Sequence, residues 1–348
     1  ASISIDVVIS LQIGGRDSRR CIMRNNLLLA LGTGLLSAVL LMIAASGPLM
    51  GTPLAYLTPL PLLILGLSGK NYFAGVAGAL AALLLFGLTT PMVAVIYFFL
   101  VVLPVTLFCD SATQMQRHAS YHGAKADLSS ASVGRLCALI SVTPVLLFTI
   151  LFLYFWFQQN ENTQAVLSKT ADSIMVTYQN ALIEKNIAIS PEVGKQLVLI
   201  KNTLVNTAPA LIGIFWMTLF LINAMIARHV LKRFTQTSPV AFKLSQIKLP
   251  HWVIITFISS GLIAAVSDGE LGLYSINLAA IIAFPILLSG LGVIHLATEK
   301  TGYKKTILFS VYTIILISRW AALMLVFIGM IDHFIKIKAK IESRAAKL

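Results

Sequence analysis

Long apolar runs separated by short polar or proline-bearing turns occupy most of the chain. Crossing roughly 30 Å of hydrocarbon takes about 20 helical residues. Residues 27–49, 54–67, 72–88, 92–109 and 136–157 therefore supply five candidate spans, and residues 208–226, 252–266 and 273–297 supply three more. Residues 306–335 are apolar over a length that suits either one tilted helix or a hairpin of two short ones pivoting near Ser318, Arg319 and Trp320. The hairpin is favoured, because only a stretch that doubles back returns Lys336, Lys338, Lys340, Arg344 and Lys347 to the side of the other cationic loops. The pattern predicts an all-α, polytopic transmembrane helix bundle of about nine or ten spans.

One segment breaks the pattern. Residues 158–206 are mixed in character, with Leu167, Ala171, Ile174, Tyr178 and Leu182 at helical spacing, then Val193, Leu197, Ile200 and Leu204. Two amphipathic helices follow, forming a small extracytoplasmic hairpin that is either a lid, a partner-binding element or a pair packed on the membrane surface. Ser190, Pro191 and Glu192 read as an N-cap, a first-turn proline and a first-turn acid, so the second helix is expected to run straight into the sixth span.

The expected organisation is a non-native or disordered extension over residues 1–22, with Met23 as the natural start. A five-span bundle over 23–157, the hairpin over 158–206, a four- or five-span bundle over 207–335 and a basic cytoplasmic tail over 336–348 complete it. The run after Met23 is too long for a signal-peptide core and reads as a retained span.

Composition agrees with lipid as the main solvent: 57% of the 348 residues are hydrophobic and 11% are charged. The net charge of +13 would suit nucleic acid in a soluble protein. Here the cations fall in loops, at Arg117, Lys125 and Arg135, at Arg228, Lys232, Arg233, Lys243 and Lys248, and at Lys300, Lys304 and Lys305. The opposite side receives short uncharged turns and one acidic turn with Asp268 and Glu270. This asymmetry implies a multi-pass membrane protein with both termini in the cytoplasm, and no nucleic-acid partner. Cys21, Cys109 and Cys137 form no paired motif, so neither a disulfide framework nor a metal site is expected.

Charged groups inside hydrocarbon are costly and mark function when they occur. No carboxylate lies between Ala30 and Phe108, across four spans, which argues against ion coupling within this chain. Arg319 and Asp332 are either a buried pair or substrate contact, or a snorkelling arginine and an interfacial aspartate. Asn223 and Asn277 either bind a ligand or hydrogen-bond a neighbouring helix. His295 reads as a structural interfacial histidine. Metalloprotease, nucleophile-elbow and P-loop motifs are missing, and Gly66, Leu67, Ser68 and Gly69 only superficially suggest a serine-protease turn. An enzyme is not expected, nor a catalytic residue or cofactor. Gly32, Gly34 and Ala38, and Gly75, Gly78 and Ala82, allow close helix approach. Pro59 and Pro61 break the second span and make it the preferred wall of a ligand cavity, while Pro104, Pro144 and Pro285 interrupt later spans.

These features resemble the YybS-like family of bacterial membrane proteins, a domain of unknown function (DUF2232). The resemblance is carried by Leu54 through Pro61, Trp216 with Asn223, Leu249-Pro250-His251-Trp252, Asn277 through Pro285 to Gly290 and His295, and Gly329-Met330-Ile331-Asp332. It covers nearly the whole chain from Met23. The family is thought to be related to the substrate-binding membrane subunits of energy-coupling-factor transporters, which implies small-molecule uptake energised by partner chains. The expected function is thus small-molecule binding or transport association, with a cavity bordered by Pro59, Pro61, Asn223, Asn277, Arg319 and Asp332. The expected partners are the lipid bilayer, a small-molecule ligand and membrane or ATPase proteins. The alternative is a non-enzymatic membrane scaffold or envelope-assembly protein.

Overall fold

The structure is a computed structural model that describes residues 5–44, 53–121, 130–157, 162–184, 191–234, 244–299 and 301–345. Every regular element among them is helical: α1 (Ile5–Ala44), α2 (Leu60–Leu67), α3 (Asn71–Leu88), α4 (Pro91–Tyr97), a π turn (Phe98–Val102) and α5 (Leu103–Tyr121) come first. Then follow α6 (Ser130–Phe157), α7 (Thr163–Glu184), α8 (Pro191–Phe234), a 3-10 turn (Leu244–Gln246), α9 (His251–Val266), α10 (Gly269–Ala297), α11 (Lys304–Ile317), α12 (Arg319–Ile335) and α13 (Ile337–Ala345). Residues 5–22, set aside as an extension on sequence grounds, continue the backbone of α1.

Among the described residues, six helical stretches are long and apolar enough to cross a bilayer: Met23–Ile43, Asn71–Leu88, Pro91–Met115, Val133–Phe157, Gly194–Phe234 and Gly269–Ala297. The other expected spans are shorter. Pro53–Leu67 and His251–Val266 each fall under the usual length, and the stretch that began as one apolar run is α11 and α12, meeting at a bend of 117°. Ser318 sits at that bend with extended backbone, closing α11 through its N–H on the Ile314 carbonyl.

The chain divides into two compact units, Ala1–Ala126 with Leu219–Ala241, and Asp127–Thr218 with Phe242–Leu348. In the first unit α1 lies close along α3, because Ala30, Ala38, Ala74, Ala77 and Ala81 present little bulk and are buried. Gly34 faces the Ala77 backbone so closely that a Cβ would collide with its carbonyl, whereas Gly32 faces open space and takes no part in the approach. A Cβ on Gly78 would come within 2.6 Å of Val102. The π turn at 98–102 ends two positions before Pro104, which lacks the N–H for an ordinary helical rung, so the ladder widens there instead of breaking.

In the second unit α10 is the central helix, with Leu273, Asn277, Ile281, Pro285, Ile286 and the run Ser289–Val293 among its buried residues. Two glycines let α12 cross it. A Cβ on Gly290 would strike the Leu325 carbonyl, and one on Gly329 would strike the Ile286 carbonyl, so each helix fills the notch the other leaves. Phe148 and Phe152 of α6 pack their rings on Tyr274 of α10, whose hydroxyl reaches Thr149 Oγ1 at 2.9 Å. The amphipathic segment is anchored twice. Glu270 of α10 accepts the Gln164 backbone N–H at 2.9 Å, capping the free amino end of α7, and Lys201 of α8 pairs with Asp172 of α7 at 2.6 Å. From Pro191, α8 runs for 44 residues without a break; Ser190 lies outside the described residues.

Candidate functional site

The residues singled out in the sequence separate into three places. The first surrounds the proline-broken segment of the first unit. Pro59 and Pro61 cannot donate backbone hydrogen bonds, so residues 54–60 make tight turns, with Leu57 N–H on Leu54 O, Thr58 N–H on Ala55 O and Leu60 N–H on Leu57 O. The carbonyls left over need donors, since lipid supplies none. Asn223 Nδ2 donates to Tyr56 O at 2.7 Å and to Leu219 O, one turn back on its own helix, at 2.9 Å. Ser37 Oγ donates to Thr58 O at 2.7 Å, which leaves the Tyr97 hydroxyl, 2.7 Å away, to donate to Ser37. Helices α1, α4 and α8 thereby converge on one irregular turn.

The accounting there does not close. Asn223 is 2% exposed and Thr58 is 1% exposed, yet Asn223 Oδ1 and Thr58 Oγ1 carry no hydrogen-bond partner. Buried polar atoms are almost always paired, and leaving one unpaired costs about 1–3 kcal/mol. Pro59, Pro61 and Asn223, expected to border one cavity, are thus brought together. Asn277 and Asp332 lie in the other unit.

Asn277 makes the second place. Its Oδ1 accepts the Ala210 N–H at 3.0 Å, and its Nδ2 donates to Asn206 O at 2.8 Å and to Leu273 O at 2.8 Å. Ala210 and Asn206 are the two ends of one rung of α8, beside Pro209, where the proline ring disturbs the ladder. The carboxamide is spliced across that rung and uses its acceptor and both donors. Close by, a Cβ on Gly213 would come within 3.1 Å of Pro144 and 3.3 Å of Ile281, so α6, α8 and α10 meet tightly there. Asn277→Leu should strand a backbone donor and acceptor at once and lower stability by about 2–4 kcal/mol. Thermal unfolding in detergent, with Asn277→Asp retaining the acceptor as comparison, measures it.

The third place corrects two expectations. Lys338, read as a cytosolic tail cation, is 3% exposed, and Asp332, read as interfacial or paired with Arg319, is 7% exposed. They pair with each other at 3.1 Å. Lys338 Nζ also donates to Ile247 O at 2.5 Å and to Ser289 Oγ at 3.0 Å, while its backbone N–H donates to Asp332 Oδ1 at 2.9 Å. The physical reason is the turn between α12 and α13. Lys336 adopts a left-handed conformation at φ 56°, closes α12 through its N–H on Asp332 O, and swings α13 back so that Lys338 points inward. Burial lowers the Lys338 pKa from its ordinary value, and the Asp332 carboxylate opposes that shift. With four acceptors, Asp332 Oδ2, Ile247 O, Ser289 Oγ and Ser289 O, around three donors, the ammonium has nothing left for a ligand and acts as a clasp. The Arg319 side chain lies outside the described residues.

The clasp holds a segment that sequence reasoning missed. Residues 244–249 run between α6 and α10 with Ile247 at 1% exposure. Gly292 receives the Leu244 carbonyl and Gly134 receives the Lys248 carbonyl, each at a distance no Cβ would allow. In the sequence, Gly290 stands out only within a motif, and Gly134 and Gly292 carry no signal of their own. A glycine facing a loop two or three elements away in the chain leaves no local signal. His295 Nε2 meets the Tyr312 hydroxyl at 2.9 Å. Among the described residues no three His, Cys, Asp or Glu side chains gather as for a metal ion.

Apolar helices with polar rungs satisfied inside the bundle define a polytopic α-helical membrane protein. Sequence comparison gives the family: the chain matches the one described as predicted membrane proteins, DUF2232, over residues 35–333. It belongs to that family. No curated protein and no solved structure matches it.

Proposed function

We propose that this is a non-enzymatic inner-membrane protein that binds a small, uncharged polar molecule at the broken segment of its first unit, as a transport-associated subunit energised by partner chains. The observation that carries the reading is the pair of unpartnered buried atoms, Asn223 Oδ1 and Thr58 Oγ1, beside a turn built from Pro59 and Pro61. One is an obligate acceptor and the other a hydroxyl, so the ligand would offer hydrogen-bond donors and carry no charge. The surrounding groups, Ser37, Tyr97 and backbone carbonyls, supply no counter-charge. The loop cations support a cytoplasmic side for both chain ends.

Thr58→Val tests it with little change of shape. If the site holds a ligand, native mass spectrometry of the protein from its own membrane should show a bound small molecule that Thr58→Val depletes. If the hydroxyl is only a packing defect, no molecule is lost and removing an unpaired buried group raises the unfolding temperature instead.

The scaffold alternative draws on α7, whose exposed Ile174 and Tyr178 border an open groove of about 420 Å³ with Ser173, Thr177 and Ala181. Deleting α7 separates the two: loss of partner capture with ligand retained favours the scaffold.

A further inference from the structure

At one end of the second unit, residues 247–251 lie against the end of α12 and the start of α13. Two contacts fix the seam: Lys338 Nζ on Ile247 O, and His333 Nε2 against His251 Nδ1 at 2.9 Å, with the rings edge to face. One imidazole donates to the other, which leaves His251 Nε2 and His333 Nδ1 as the remaining ring nitrogens. Lys248, Lys336 and Lys340 are exposed around this seam, and none has an ion pair among the described residues. Lys248 is close enough to lower the Lys338 pKa through its charge. The carboxylate at the seam, Asp332, is buried and already neutralised by Lys338. His251 also opens α9, where Pro250 offers no side-chain cap, so first-turn N–H groups face an anion-favouring end.

An apolar strip begins at the same point. Trp252, Ile255, Ile258 and Leu262 of α9 are exposed and recur at spacings of three and four, so they share one face. From Trp252 to Leu262 the strip extends about 15 Å along the helix, the reach of a good part of an acyl chain. A free phosphate would use the cations and ignore the strip; a phospholipid uses both.

We infer that this seam binds the headgroup phosphate of an anionic phospholipid, through Lys248, Lys336 and the His251–His333 pair, with its acyl chains along α9. The site is distinct from the polar turn of the first unit and does not depend on the ligand proposed there. General attraction between loop lysines and an anionic leaflet accounts for neither the paired imidazoles nor the uncapped helix start beside them.

The test uses the full chain in nanodiscs of equal phosphatidylglycerol and phosphatidylcholine, released into the gas phase to count retained lipids. The wild type should keep phosphatidylglycerol preferentially. Lys248→Gln/Lys336→Gln should weaken that preference about twenty-five-fold, at roughly fivefold per lysine. Lys304→Gln/Lys305→Gln, an equal loss of charge at the start of α11, should leave it intact, and Lys248→Arg should keep it. The inference is overturned if the first variant retains the preference, if both double variants lose it alike, or if inorganic phosphate displaces the lipid from the wild type. A thermal midpoint that stays with the wild type shows that the first variant is folded; if it does not, His251→Gln takes its place, with the same loss of preference required.

Discussion

Lys338→Met should be among the most damaging single substitutions in the chain, lowering stability by about 3–5 kcal/mol. Removing the ammonium leaves the Asp332 carboxylate 7% exposed without its counter-charge, leaves Ser289 Oγ without the Lys338 donor, and leaves Ile247 O with only the long Ser289 hydroxyl contact at 3.5 Å. Asp332→Leu alone should cost a similar amount for the mirrored reason, because a buried ammonium is then uncompensated. The double variant Asp332→Leu/Lys338→Met should recover much of the loss, since a buried ion pair gains little over well-packed apolar groups of similar volume. Unfolding in detergent, arranged as a double-mutant cycle, measures the coupling. Additive losses would mean that the two side chains do not meet. The same variants should speed proteolysis in residues 244–249, which the clasp holds between α6 and α10.

A valine at Gly290 should lower stability by about 3 kcal/mol or more, beyond the usual range for overpacking. Ordinary overpacking presses on side chains that can rotate away. Here the added carbon meets the Leu325 carbonyl of α12, and backbone moves only if the helix moves. Gly329→Val should behave alike, because its neighbour is the Ile286 carbonyl of α10. Gly302→Ala and Gly32→Ala are the controls, both facing open space, and Gly32→Ala should be neutral to slightly stabilising inside a helix. Equal tolerance at Gly290 and Gly32 would remove the close crossing of α10 and α12 from the account.

The helices themselves were legible because hydrocarbon imposes one local rule: a segment without water must satisfy its own backbone, and about 20 apolar residues do so as a helix. That rule needs no knowledge of neighbours. It located the apolar segments, the break at Pro59 and Pro61, and the start of α8 at Pro191. It did not separate segments that cross alone from those too short to do so, such as His251–Val266, because length and apolarity grade continuously. Small residues were noticed, but their use was not: Gly34 touches α3 while Gly32, two positions away, touches nothing.

What the amino-acid order determined by itself was therefore the class of protein and the identity of the polar residues worth watching, Asn223, Asn277 and Asp332 among them. Their partners came from the tertiary structure alone. Asn277 bridges a rung of α8 some 70 positions away in the chain, and Lys338 turns from tail cation to buried clasp because Lys336 adopts a conformation usually left to glycine. A hydrogen bond depends on which atoms lie within about 3 Å, and in a bundle whose helices are all apolar that proximity is settled by packing between distant segments.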